Sequence, residues 1–283
     1  MKTTISKVFD EIHDSTKSEF KVKHKPTGIM NFDFYTGGLE VGKLYILAGT
    51  PRSFKTALLL SISFNMGVLY DIPLLYCSLD ACEETLVKRI LFQYTNCNIQ
   101  NFPYECPDIF QMKKLFAAGN KLRQSKLKFL CSTLLKIDDI EKECAVIKNN
   151  GILFIDYFQV LAYGKKYSEV LQKIKMLASK NGVPVVVAYQ TGIASRLNTA
   201  FFMRNGVDAV FRVKKERSYN ISIEDENIDS KWHVLFEIVK NRNGKCATFE
   251  LLYDENSLKL YNEELDLFEC EDTSYEFESI ALC

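Results

Sequence analysis

Apolar and polar positions fall into alternating strand and helix patterns from residue 43 onward. KLYILA (43–48) is a short apolar run, the pattern of a strand buried on both faces. KTALLLSISFNMGV (55–68) has helical length. PLLYCS (73–78) repeats the strand, and CEETLVKRILFQYT (82–95) the helix, with Leu86, Ile90 and Tyr94 one turn apart. Residues 108–124 give another helix, LKFLC (127–131) a strand, and KIDDIEKECAVIKNN (136–150) a helix. GILFID (151–156), YSEVLQKIKMLASKNG (167–182) and VPVVVAYQ (183–190) continue as strand, helix and strand. Continuous apolar strands alternating with helices predict an α/β fold, a mostly parallel twisted sheet flanked by helices with right-handed crossovers.

The pattern changes after residue 206. VDAVFRV (207–213), WHVLFEIVK (232–240) and CATFELLYD (246–254) read as strands with little helix between them. NRNGK (241–245) joins the last two as an antiparallel hairpin, and residues 216–231 form a polar loop. At the other end, Ile5, Val8, Phe9 and Ile12 share one face of a short helix over 3–14, followed by the basic linker KSEFKVKHKP (17–26). That helix has to bury its stripe on its own domain or on a neighbouring subunit. Glu263–Cys283 holds eight acids and no base and is expected to be mobile, a solubilising tail or a partner-binding peptide. The predicted organisation is therefore a linker segment (1–26), one α/β domain (27–262) and an acidic tail (263–283).

Charge adds little. Lys+Arg and Asp+Glu number 36 each, so any nucleic-acid binding has to come from a local patch. The nine cysteines include no C-x2-C pair, which suits a reduced chain using thiols as small apolar side chains. No apolar run approaches the ~20 residues of a spanning helix, so no membrane contact is expected and the cytoplasm is the default location.

The candidate chemistry lies at the ends of strands. GTPRSFKT (49–56) follows the first buried strand and opens a helix. It fits the phosphate-loop pattern G-x-x-x-x-G-K-[ST] at Gly49, Lys55 and Thr56, but Phe54 stands at the second glycine. In such a loop, backbone amides and a lysine hold phosphates, and the hydroxyl of Ser or Thr holds Mg2+. If the backbone at Phe54 needs a positive φ, the side chain costs roughly 1–2 kcal/mol; otherwise the ring can point away. GILFID ends in Asp156 at the C-terminal edge of the sheet, where ligands bind in these folds and a carboxylate can reach a cation. Asp80, just past the strand at 73–78, can orient a water or cap the next helix. Gln190 ends another strand at the same edge.

In this order the segments resemble the RecA-like motor domain of the DnaB family of replicative helicases, from about Thr27 to Asp254. TGIMNFDFYTGGLEVGKLYILAG is similar to the family's entry segment, CSLDACEETLVKRIL to the stretch with its catalytic carboxylate, ILFIDYFQVL to its I-I-D-Y-L-Q-L, and VKNRNGKCATFEL to its K-N-R-N-G hairpin. The resemblance implies an ATP-dependent DNA helicase using ATP and Mg2+. Gly49, Arg52, Ser53, Lys55 and Thr56 would hold the nucleotide, and Thr56 and Asp156 the metal. Asp80 would be the catalytic carboxylate and Gln190 the γ-phosphate sensor. Lys240 and Arg242 would reach a neighbour's site, which implies a homo-oligomeric ring, usually of six subunits. Lys165, Lys166, Arg196 and Arg204, with Phe201 and Phe202 between the two arginines, would face single-stranded DNA. A helicase loader or other replisome proteins would be further partners.

Phe54, an aspartate at 80 where the family has glutamate, YQTGIASR for S-Q-L-N-R, and no expected primase-docking N-terminal domain depart from that pattern. Two readings stay open on sequence alone: a working motor, or a paralogue that keeps the fold and acts as a non-hydrolysing ring subunit or adaptor of a replicative helicase. A recombinase-like or clock-type ATPase is disfavoured by the K-N-R-N-G hairpin.

Overall fold

The structure is a computed structural model that describes residues 24–95, 108–192, 197–215, 231–242, 244–255 and 257–262. The helix expected at 3–14, its basic linker up to residue 23, Arg196, the polar loop at 216–230 and the acidic tail lie outside the described residues.

Among the described residues one sheet of nine strands dominates. Its strands are β3 (Leu44–Gly49), β4 (Leu74–Ser78), β5 (Leu127–Cys131), β6 (Ile152–Asp156), β7 (Val185–Gln190), β8 (Ala209–Lys215), β9 (Lys231–Asn241), β10 (Thr248–Asp254) and β11 (Lys259–Tyr261). Two short strands, β1 (His24–Lys25) and β2 (Leu39–Glu40), pair separately. The order across the large sheet is β11-β10-β9-β8-β3-β7-β6-β4-β5. From β8 to β5 every pairing is parallel, and β8 to β11 are antiparallel. Each strand expected from an apolar run is present.

The helices are α1 (Met30–Thr36), α2 (Lys55–Phe64), α3 (Glu83–Thr95), α4 (Ile109–Gln124), α5 (Ile137–Cys144), α6 (Phe158–Leu161), α7 (Tyr167–Asn181) and α8 (Thr199–Arg204). The helix expected over 55–68 ends its regular part at Phe64 and continues as a π-helical turn at Asn65–Leu69. The stretch expected as helix over 136–150 shortens to α5 and a 3₁₀ turn at Ala145–Ile147.

Both sheet faces are covered. On β3, Tyr45 and Leu47 pack into one apolar cluster, while Leu44, Ile46 and Ala48 pack into another. This is the two-fold alternation of a strand with a core on each side. Rigid burial of β3 on both faces fixes where its C-terminal end delivers the loop that follows.

The entry segment is held by Asp33 in α1. Its carboxylate accepts from the Thr27 amide at 2.9 Å, the Thr27 hydroxyl at 2.8 Å and the Gly28 amide at 2.9 Å. That closes a turn ahead of α1 and packs Phe32 between Phe211 and Phe236.

Candidate functional site

The loop 49–54 leaves β3 and turns directly into α2. Gly49 is needed for close approach: a Cβ there would sit 2.3 Å from Ser53 Oγ and 2.9 Å from the Val213 carbonyl. Arg52 and Phe54 both take positive φ, 60° and 65°. The backbone at Phe54 (ψ 18°) is therefore in the left-handed region that glycine normally supplies. The sequence alternatives are not exclusive, because the ring also points away. It stacks on Tyr253 of β10 with centroids 3.8 Å apart and an interplanar angle of 23°. Lys215 Nζ lies 5.1 Å from the Phe54 centroid and 3.3 Å from that of Trp232. A left-handed phenylalanine costs about 1–2 kcal/mol, and an aromatic pair returns about 0.5–1.5 kcal/mol beyond its burial.

Lys55 is buried, and its ammonium donates to the Gly49 carbonyl at 2.9 Å, the Thr50 carbonyl at 2.7 Å and Ser53 Oγ at 3.3 Å. Burial pulls its pKa down to about 8, against the attraction of Asp156. The first intrahelical bond of α2 runs from the Leu58 amide to the Phe54 carbonyl at 2.9 Å. The amides of Lys55, Thr56 and Ala57 precede it, at the positive end of the helix dipole.

Thr56 Oγ1 donates to Asp156 Oδ2 at 2.8 Å, joining α2 to the end of β6. A hydroxyl that gives its proton to a carboxylate keeps its lone pairs for a cation. Tyr76 in β4 donates to the same oxygen at 2.9 Å. Burial raises the Asp156 pKa; the Thr56 and Tyr76 hydroxyls and Lys55 oppose that, and the charge of Asp80 adds to it. Asp80 is exposed beyond β4, close enough to act on Asp156. It is not the helix cap, since α3 begins at Glu83.

Gln190 ends β7 beside Gly49, in parallel register, and its side chain is exposed. Its peptide is gripped by Gln159, whose Nε2 donates to the Gln190 carbonyl at 2.6 Å while Oε1 accepts the Gln190 amide at 3.2 Å. Lys55, Thr56, Asp80, Asp156 and Gln190 thus gather at one sheet edge.

Lys240 and Arg242 do not join them. Lys240 pairs with Val210 near the start of β8, whereas Val213 is the residue beside Gly49. The two basic residues therefore lie toward the opposite edge of the sheet from the loop. Lys240 is exposed, and the Arg242 guanidinium donates to the Met203 carbonyl at 2.5 Å.

Lys165, Lys166 and Arg204 are exposed; Lys165 Nζ reaches the Leu161 carbonyl at 3.3 Å and Lys166 lies 3.6 Å from Glu169. Phe202 is buried, edge-on to Tyr189 at 5.0 Å, and Phe201 packs against the same core. These two rings build the fold rather than a stacking surface. Tyr163, 88% exposed beside Lys165, is the available ring.

Sequence reasoning missed Tyr76, Gln159 and Tyr253. Tyr76 left a signal, a hydroxyl inside an otherwise apolar strand that has to find a partner when buried. The residues at the loop fit a nucleotide with a divalent cation: helix-end amides, a buried ammonium, and a hydroxyl whose proton is already committed to a carboxylate. Among the described residues there is no group of three or more His, Cys, Asp or Glu side chains placed to hold a metal ion. No helix among them is long and apolar enough to cross a membrane.

The chain is similar to the replicative DNA helicase DnaB of Geobacillus stearothermophilus, at 24% identity over 94% of this chain and 62% of that protein. It is 26% identical to DnaB of Helicobacter pylori over 75% of this chain and 48% of that protein. It thus spans about half to three-fifths of these relatives. In fold it matches a solved ATPase domain with a TM-score of 0.78 and 18% identity, covering 93% of this chain and all of that one. A DnaB-like replicative helicase, in a structure that concerns its interactions with primase, matches at 0.75 and 18%, over 93% of this chain and 68% of that chain. The architecture is thus RecA-like, a mostly parallel sheet with antiparallel strands appended. The family model described as the DnaB-like helicase C terminal domain covers residues 25–262, and the chain belongs to that family.

Proposed function

We propose that this chain is the motor of a ring-forming, ATP-dependent DNA helicase that moves along single-stranded DNA in replication. The observation that carries this reading is the Lys55–Thr56–Asp156 arrangement at the start of α2. Lys55 exchanges its loop carbonyls for phosphate oxygens, and the amides of Lys55, Thr56 and Ala57 face the same anion. Gly49, Arg52 and Ser53 complete the loop. Thr56 and Asp156 hold Mg2+, whose charge offsets that of the phosphates. Asp80 orients the attacking water, and Gln190, fixed through Gln159, senses the terminal phosphate.

Lys240 and Arg242 lie on the far edge of the sheet from their own loop, which suits service to the loop of a neighbouring subunit in a homo-oligomeric, hexameric ring. Arg242 has to leave Met203 to do so. Lys165, Lys166, Arg196 and Arg204 contact the DNA backbone, with Tyr163 as the exposed ring beside them. A loader or other replisome proteins complete the set of partners. The non-hydrolysing adaptor reading rests on Phe54 and on Asp80; the ring's seat on Tyr253 answers the first of these, and the motor reading requires the shorter Asp80 carboxylate to do the work of a glutamate.

Titration of a fluorescent ATP analogue against pH tests the phosphate site. The Lys55 pKa lies near 8 in the free protein, and a bound phosphate favours the charged ammonium. Binding is therefore full below that pKa and declines above it. Affinity should fall about tenfold between about pH 7 and about pH 9, and Lys55→Met should flatten the profile. A wild-type profile that stays level through this window would put the phosphates somewhere other than Lys55.

A further inference from the structure

Resting on the nucleotide site proposed above, we infer that Tyr76 is a positioning residue that fixes the Asp156 carboxylate for the cation. Asp156 sits at the last position of β6, and Tyr76 two residues from the end of the adjacent β4. Both hydroxyls that reach Asp156, from Thr56 at 2.8 Å and Tyr76 at 2.9 Å, fall on Oδ2. The lone pairs of Oδ1 lie outside this pair of bonds.

The two donors differ in kind. Thr56 belongs to the loop–helix junction, the part of the site that would meet a bound nucleotide. Tyr76 is fully buried, its ring edge-on to Phe154 at 6.2 Å and tilted against Phe129 at 5.7 Å. A strand residue locked in a close-packed core gives its phenolic oxygen a fixed position. One hydrogen bond leaves a carboxylate free to swing about it; two donors from different elements define its plane. Partners of this outer kind set the orientation of metal-holding groups, and losing one typically lowers metal affinity by about 10–100-fold.

The ring of Tyr76 packs the core, and its hydroxyl is bonded to Asp156. A buried tyrosine hydroxyl needs a partner, and that partner is Asp156. Phenylalanine would fill the same volume in the core. The ring thus serves the packing, and the hydroxyl that distinguishes tyrosine from phenylalanine serves the carboxylate.

Binding of a fluorescent ADP analogue to the full chain, first in EDTA and then across a Mg2+ titration, tests this for wild type, Tyr76→Phe and Thr56→Ala. The expected result is a Mg2+ midpoint about tenfold higher in Tyr76→Phe, with EDTA binding within about twofold of wild type and a cooperative melt lowered by the loss of one buried hydrogen bond. Thr56→Ala should lose most of the Mg2+ response. A Tyr76→Phe midpoint equal to that of wild type overturns the inference and leaves the nucleotide site standing. Equal losses with and without Mg2+ make Tyr76 merely structural and also overturn it. A wild type that binds no nucleotide in either condition removes the nucleotide site itself, and the inference with it.

Discussion

Lys55→Ala should reduce ATP hydrolysis by about a hundredfold or more while leaving the fold intact. The two effects separate because the ammonium is costly to the folded chain. It is buried, and its pKa is pulled down to about 8, so the charged form is disfavoured where it sits. Its bonds to the Gly49 and Thr50 carbonyls and to Ser53 offset part of that cost. Removing charge and bonds together should change stability by no more than about 1 kcal/mol. Steady-state ATPase assays and thermal melts on the same preparation check both halves. A large fall in melting temperature would mean that Lys55 is a structural anchor.

Asp208→Ala, at the sheet edge opposite the loop, should destabilise the fold by about 3–5 kcal/mol. Asp208 is buried at the start of β8, and its Oδ2 accepts the Leu44 amide at 2.8 Å and Lys175 Nζ at 2.7 Å. Lys43 Nζ lies 3.9 Å from Oδ1. Its own amide donates to the Leu44 carbonyl at 2.8 Å, and its carbonyl accepts from the Arg242 amide at 2.9 Å. One residue thus ties the start of β3 to α7 and to the hairpin. Alanine keeps the backbone bonds but leaves the Leu44 amide and the Lys175 ammonium without their shared acceptor. Asp208→Asn keeps an acceptor for Leu44 and should cost about half as much. Urea melts of the two variants measure the difference, and a loss below about 1 kcal/mol for alanine would show that water replaces the carboxylate freely.

The central parallel strands β3, β4 and β6 were legible because each is buried on both faces and so reads as an apolar run. Asp156 was legible for a related reason, as a carboxylate closing such a run can only stand at the sheet edge. α8 was not. Its TAFFMR sequence is too short to show a helical period, and two aromatics between arginines look the same in a binding loop as in a core anchor. Only tertiary packing, with Phe202 against Tyr189, distinguishes them. α1 was hidden because its stability comes from Asp33 capturing Thr27 and Gly28 rather than from a periodic apolar stripe.

Phe54 marks the boundary most clearly. The motif located the residue, and chirality set the cost of a positive φ there. Where the ring goes depends on Tyr253, 199 residues along the chain, and on the hairpin that brings β10 alongside. Tyr76 is similar: the odd hydroxyl was visible, but its partner is 80 residues away and is chosen by strand order.

Hydrolysis of ATP by the wild type and by Phe54→Gly, each with and without single-stranded DNA, tests most directly whether the loop works with an aromatic at its turn. The wild type should hydrolyse ATP, faster with DNA present, and glycine should give a comparable rate because the ring rests on Tyr253. A wild type that neither hydrolyses nor binds ATP, with activity emerging only in Phe54→Gly, would contradict that and identify a lapsed site.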